Sequence, residues 1–237
     1  MTEKSPACST PDPNLSRLIY VLSAAGLAYI VASRMLAEHA LKMFGSGSVS
    51  RAAIFSEYAY PSVLALFLLA MIAIAVAARV PREPAAGHGN LGAARRIGWG
   101  LLGGIVCCAA VVPVMLTRGG ESTRFLVNAV ANAYSPGPLA LATILLLAAA
   151  LPLASEVVFR GIILRTLRGC AGAPAAVVAS TVLFAVWWPV LGWYGSAVLG
   201  LVSAVLYIRT RGILASVVAN SICTVGSAAI VVAVAFR

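Results

Sequence analysis

The sequence contains little charge, few acidic residues and almost no histidine. Charged residues make up 10% of the 237 positions, with seven Asp and Glu together and two His, while 61% of the residues are hydrophobic. A soluble domain carries roughly 25% charged residues. The shortage of charge therefore excludes an ordinary soluble domain and predicts a polytopic membrane protein.

The side chains that hold metals or form disulfides are also scarce. The five cysteines are odd in number and include no CxxC pair, so the sequence shows no disulfide framework. Both histidines, His39 and His88, lie in polar segments away from the apolar runs. A metal site needs several converging His, Cys or carboxylate ligands, so the sequence predicts neither a metal nor a cofactor.

A net charge of +10 is also found in proteins that bind nucleic acids. The basic residues, however, do not cluster in a soluble domain and instead lie in the gaps between apolar runs. Basic loops that flank apolar spans are typical of proteins in a bilayer. We therefore predict the lipid bilayer as a partner and exclude nucleic acid.

The apolar runs divide the chain into three regions. We predict a disordered cytoplasmic tail at 1–17, N-terminal membrane helices and linkers at 18–137, and core helices at 138–237. About 20 apolar residues are needed to cross a bilayer. On this basis the predicted spans are about 18–36, 58–78, 97–116, a fourth that starts near 138 and carries Glu156 and Arg160 towards its end, 175–189, 196–208 and 213–236.

Two details of these spans carry further expectations. Gly100 and Gly104 form a small-xxx-small pair in the third span, which is typical of close helix packing. Pro152 removes a backbone hydrogen bond from the fourth span and predicts a kink there.

The basic residues predict the orientation of the chain. With a cytoplasmic N-terminus and seven spans, ten basic residues face the cytoplasm and five face outward, as the positive-inside rule favours. The ten are Lys4, Arg17, Arg79, Arg82, Arg95, Arg96, Arg165, Arg168, Arg209 and Arg211, and the five are Lys42, Arg51, Arg118, Arg124 and Arg237. Residue usage rich in Ala, Gly, Val and Arg is typical of a bacterial source, so we predict a multi-pass protein of the inner membrane.

One acidic residue lies within the apolar spans. It is Glu156, in the stretch Ser155-Glu156-Val157-Val158-Phe159-Arg160-Gly161. A carboxylate at membrane depth is costly and is usually paired or functional. Because Arg160 follows four positions later on the same helical face, the two side chains can form an ion pair. A structural pair and a functional site both stay open at this point.

Three segments of the last hundred residues resemble the motifs of one family. Residues 155–161 resemble its EExxFRG motif, 183–189 its FxxxH segment, and 207–220 the segment leading into its HxxxN motif. The family is that of the type II CAAX prenyl endopeptidases and bacteriocin-processing proteins, called CPBP or Abi. The resemblance implies an all-α fold of about seven membrane helices with a core like that of the CPBP proteases.

The catalytic positions of the family carry other residues in this chain. In the family, the first Glu and the His of FxxxH activate water, while the His and Asn of the last motif assist and stabilise the oxyanion. The residues at those four positions are Ser155, Trp188, Asn220 and Thr224. Hydrolysis needs a general base and oxyanion donors. We therefore interpret the chain as a relative whose catalytic motifs are degenerate.

The resemblance also defines the candidate site. Its predicted binding residues are Ser155, Glu156, Arg160, Phe184, Trp188, Asn220 and Thr224, with Glu156, Arg160 and Asn220 as candidate catalytic remnants. The Trp188 ring is predicted to fill the space of a catalytic side chain. Asn220 either bridges helices or lines a polar cavity, since a buried amide must find partners.

The function that follows is non-proteolytic. We expect a binding, scaffold or assembly subunit for a membrane peptide, a lipidated protein or a partner membrane subunit. One alternative is an active CAAX-like endopeptidase that uses Glu156 as the base and Asn220 as an oxyanion donor. A small transporter component is the third possibility, although it predicts more polar residues in the spans than the sequence contains.

Overall fold

The structure, a computed structural model, describes residues 67–74, 92–118, 145–187 and 191–235, together with single positions between 20 and 35. All regular structure in these ranges is helical, and no strand occurs in them. The predicted all-α class is therefore confirmed. The tail at 1–17, most of the first two predicted spans and Trp188 lie outside the described residues, so the count of seven spans stays a prediction.

Five α-helices and two π-helical segments make up the described part of the bundle. They are α1 Ala93–Arg118, π1 Leu146–Ala150, α2 Leu151–Glu156, π2 Val157–Leu164, α3 Arg165–Trp187, α4 Gly192–Thr210 and α5 Leu214–Ala235. Residues 67–74 and the described positions between 20 and 35 are also helical. These elements lie within or extend the predicted spans. The predicted kink at Pro152 falls where the chain changes from π1 to α2.

The chain reverses its direction within α3. Gly172 has a φ of 79° and a ψ of 167°, which is non-helical, and Pro174 starts the second half of the helix. A positive φ is accessible to glycine at no steric cost. Beyond the reversal, Ala176 packs with Leu164, and the Ser180 hydroxyl donates to the Phe159 carbonyl at 3.1 Å. The apolar stretch Leu146–Trp187 is therefore an antiparallel hairpin, as two successive spans require.

Helices α1 and α5 run parallel and in close contact. A Cβ built on Gly100 would lie 2.7 Å from Val218 Cβ, and one on Gly104 would lie 2.7 Å from Ile222 Cβ. Each of these pairs is 118 positions apart in the sequence, and a constant separation means that the helices share one direction. The predicted role of the two glycines in close helix packing is confirmed. These helices are the third and seventh spans of the predicted order, and two odd-numbered spans cross the membrane in the same direction.

The outward sides of the helices are apolar. Two helical stretches, Ala93–Thr117 and Leu146–Trp187, are long and apolar enough to cross a membrane, and only 33% and 17% of their most apolar windows are buried. Ile105, Val178 and Val186 are among the large side chains that they expose. In water, apolar patches of this extent mark contact with another apolar phase. The pattern is that of helices whose outer sides face lipid.

The α1–α5 contact can be tested at its glycines. The variant Gly104→Ala should destabilise the protein by about 1–3 kcal/mol, because the added methyl group overlaps Ile222 and must push the helices apart. Thermal unfolding in detergent measures the effect.

The matched control for this substitution is Gly98→Ala on the same helix. A Cβ at Gly98 would meet nothing within 4 Å, so this variant should not lower the melting temperature. Equal melting temperatures for the two variants would contradict the close contact.

Candidate functional site

The centre of the site is an ion pair within one helical stretch. Glu156 ends α2 and Arg160 lies one turn later in π2, so both side chains project from the same face. Arg160 Nε lies 3.2 Å from Glu156 Oε2, and both side chains are 0% exposed. The ion pair that the sequence predicts is confirmed. A buried pair of this kind needs further hydrogen bonds, because the mutual attraction alone rarely offsets the loss of water.

Arg160 obtains its further contacts from α3 and α4. Its Nη2 donates to the Gly200 carbonyl at 2.8 Å. Its guanidinium carbon lies 4.5 Å from the centre of the Phe184 ring, which is a cation–π contact. The Phe184 ring in turn meets Phe159 edge to face, with ring centres 5.1 Å apart. One guanidinium group therefore joins three elements of the bundle.

Gly200 makes this arrangement possible by its size. A Cβ built there would lie 3.2 Å from Phe184 Cδ1 and 3.3 Å from Thr181 Cγ2. Both distances are shorter than ordinary contact between carbon atoms. A larger residue at this position would move α4 away from α3. The Gly200 carbonyl would then move away from Arg160.

Asn220 connects the ion pair to α5. Its Nδ2 donates to Glu156 Oε1 and to Ser155 Oγ, at 3.2 Å in each case. Its Oδ1 accepts a hydrogen bond from Thr224 Oγ1 at 3.2 Å, while Ser155 Oγ donates to the Pro152 carbonyl at 3.0 Å. The amide must present its NH₂ group to the carboxylate, since its oxygen would repel it. Asn220 therefore takes the bridging role, one of the two predicted for it.

Some buried polar atoms of the cluster have no hydrogen-bond partner in the described part of the chain. They are Glu156 Oε2, Arg160 Nε, Arg160 Nη1, Thr181 Oγ1 and Ser203 Oγ, of which the first two face each other in the ion pair at 3.2 Å but outside hydrogen-bond geometry. The Ser203 hydroxyl faces the Glu156 carboxylate, but outside hydrogen-bond geometry. Buried polar groups are satisfied in most native structures, so these atoms retain capacity for another polar group.

The structure brings together six of the seven predicted site residues. Ser155, Glu156, Arg160, Phe184, Asn220 and Thr224 are all buried and in mutual contact through the chain of bonds described above. Trp188 lies outside the described residues. Within the described ranges, no three His, Cys, Asp or Glu side chains are grouped so as to hold a metal ion. The roles of the six residues stay predictions.

Sequence reasoning missed two contributors from α4, Gly200 and Ser203. Their signal is the small residues Ser196, Gly200 and Ser203, which recur at intervals of four and three along the sixth predicted span. This spacing places them on one helical face. It does not reveal that a backbone carbonyl of that face accepts from Arg160.

The comparison with known families supports the resemblance found in the sequence. Residues 137–226 match the Rce1-like family, described as type II CAAX prenyl endopeptidase Rce1-like. The match covers less than half of the 237 residues but includes every residue of the candidate site. No curated protein and no solved structure matches the chain. Together with the two apolar helical stretches, the match indicates a membrane protein with a CAAX-protease-like segment.

The energetic role of the ion pair can be measured by a double-mutant cycle. Glu156→Gln and Arg160→Met should each destabilise the protein by about 3–5 kcal/mol, because each leaves one buried charge without its partner. The double variant removes both charges and should cost clearly less than the sum. Denaturant unfolding in detergent provides the free energies.

A control arginine distinguishes the pair from a general effect of the substitution. Arg168→Met changes an exposed arginine of α3 and should alter stability by no more than about 0.5 kcal/mol. Strictly additive costs for the Glu156 and Arg160 variants would mean that the two charges do not support each other.

Proposed function

We propose that this protein is a proteolytically inactive relative of the type II CAAX prenyl endopeptidases, which acts in the membrane as a binding or assembly subunit. Its ligand would be a membrane peptide, a lipidated protein or a partner membrane protein. The observation that carries this proposal is the state of Glu156, whose two carboxylate oxygens are both engaged by other side chains of the chain.

A general base needs a lone pair that is aimed at the water molecule it deprotonates. Glu156 directs Oε2 towards Arg160 and Oε1 towards the Asn220 amide, and its side chain is completely buried. If the chain were an active endopeptidase, the Asn220 amide would also be the group that donates a hydrogen bond to the oxyanion. Because base and donor are bonded to each other, neither is arranged for an incoming peptide bond.

The binding role is supported by the polar atoms that remain. Arg160 Nη1 and the hydroxyls of Thr181 and Ser203 have no hydrogen-bond partner within the described ranges. Each is a donor, and a peptide that crosses or enters the membrane carries carbonyl acceptors. Donors in surroundings of low dielectric hold such acceptors strongly. Because the three atoms are buried, a peptide group must enter between the helices to reach them, and it would then be bound without being cleaved.

The location belongs to the same proposal. We place the protein in the inner membrane of a bacterium with a cytoplasmic N-terminus, because that orientation puts the larger number of basic residues on the cytoplasmic side. The Glu156–Arg160 pair then lies towards the cytoplasmic leaflet. A partner would approach it from within that leaflet.

The test uses purified full-length protein in detergent and a fluorescent peptide with a prenylated C-terminal CAAX sequence. We expect no cleavage above the protein-free rate, and the same result for Glu156→Gln, with an active family member as the positive control. The intact peptide should bind. Its affinity should fall about 2- to 10-fold in Thr181→Val and Ser203→Ala, which each remove one buried donor.

The control for binding is Thr117→Val, which removes an exposed hydroxyl of α1 that donates to the Pro113 carbonyl. It should leave the peptide affinity unchanged. Cleavage that disappears in Glu156→Gln would overturn the proposal in favour of the active endopeptidase. A peptide that is neither cut nor bound would remove the binding role for this class of ligand.

A further inference from the structure

One end of the bundle collects arginines from three separate parts of the chain. Two begin α1, two lie between the end of π2 and the reversal at Gly172, and two lie at the end of α4. We call this surface the arginine end, and its members are Arg95, Arg96, Arg165, Arg168, Arg209 and Arg211.

Contacts between the elements place these arginines on one surface. A Cβ built on Gly212 would lie 3.2 Å from Arg96 Nη1, so the start of α1 meets the turn that follows Arg211. Leu164 and the partly buried Leu167 pack in one cluster with Tyr207 and Ile208, which precede Arg209. The three pairs of arginines therefore surround the same end of the bundle.

Four members of the arginine end are exposed, and none of these four is paired with an acidic residue in the described part of the chain. Glu156 is the one acidic residue in those ranges, and it is buried against Arg160. Arg95, Arg168, Arg209 and Arg211 are exposed. At the other end of the bundle, α4 begins with the uncharged residues Gly192, Trp193 and Tyr194, and α1 ends at Arg118. The four exposed arginines therefore present positive charge to an anionic partner.

Arg211 has a left-handed backbone conformation, which glycine adopts more readily than arginine. Its φ of 51° and ψ of 41° are left-handed, and it is the one non-glycine residue with positive φ in the described ranges. Helices commonly end with glycine in this conformation, because a side chain there is strained. In this chain the glycine follows one position later, at Gly212. The left-handed residue at the end of α4 is therefore an exposed arginine.

The ends of membrane-spanning helices lie at the level of the lipid headgroups. A guanidinium group binds phosphate through two parallel hydrogen bonds. Basic groups near the surface also attract the anionic lipids of the cytoplasmic leaflet. We propose that the arginine end is a binding surface for anionic phospholipid headgroups, with Arg209 and Arg211 at its centre. This inference does not depend on whether the chain cleaves peptides.

The proposal is tested with full-length protein in detergent by native mass spectrometry, with added phosphatidylglycerol or phosphatidylcholine. Phosphatidylglycerol should be retained and phosphatidylcholine should not. Arg211→Gly should weaken phosphatidylglycerol binding about fivefold, since each basic residue near the surface contributes roughly that factor. It should leave the melting temperature unchanged or higher, because glycine relaxes the left-handed backbone.

A second variant of the arginine end and a control variant complete the test. Arg209→Gln changes an exposed helical residue without backbone strain and should also weaken binding about fivefold. Arg118→Gln, at the other end of α1, should leave binding unchanged.

Equal retention of the two lipids, or an equal effect of Arg118→Gln, would overturn the proposal. Displacement of phosphatidylglycerol by inorganic phosphate at equal concentration would show that the surface binds free phosphate rather than lipid. A lower melting temperature for Arg211→Gly would remove the argument from backbone strain.

Discussion

The described structure depends on the burial of one ion pair away from water. Glu156 and Arg160 are both 0% exposed, and neither charge can draw a solvent molecule to complete its hydrogen bonds. The missing partners must therefore come from other elements of the bundle. The Gly200 carbonyl, the Phe184 ring and the Asn220 amide supply three of them from α4, α3 and α5, while Arg160 Nη1 has no partner among the described residues. The contacts that stabilise the two buried charges therefore help to fix the relative positions of these helices.

The helices must also pack with their backbones close together, and small residues at the contacts allow this. The polar side chains of the cluster are short, so a hydrogen bond between helices forms only where their backbones lie near each other. Gly200 brings α4 against Phe184 and Thr181, while Gly100 and Gly104 bring α1 against α5. Without a hydrophobic driving force between helices in lipid, such packing and polar contacts are the main sources of association. The glycines and the ion pair therefore act together.

The sequence predicted those features that depend on residues close together in the chain. The Glu156–Arg160 pair follows from a spacing of four on one helix, and the reversal near Gly172 follows from the gap between two apolar runs. Asn220 entered the candidate site through a motif resemblance. The acceptor for Arg160 Nη2 could not be predicted, because a backbone carbonyl such as that of Gly200 has no signature in residue type.

The depth of the ion pair explains why it must be satisfied within the protein. Arg160 lies five residues before Arg165, in π2. Asn220 lies six residues after Leu214, where α5 begins, or about 9 Å along an α-helix. If the arginine end lies at the headgroups, the cluster lies within one leaflet of a hydrocarbon core about 30 Å thick. A charge at that depth is costly unless it is paired. An acid that must stay paired to remain buried is poorly suited to act as a base, and this agrees with the proposal that the chain does not cleave peptides.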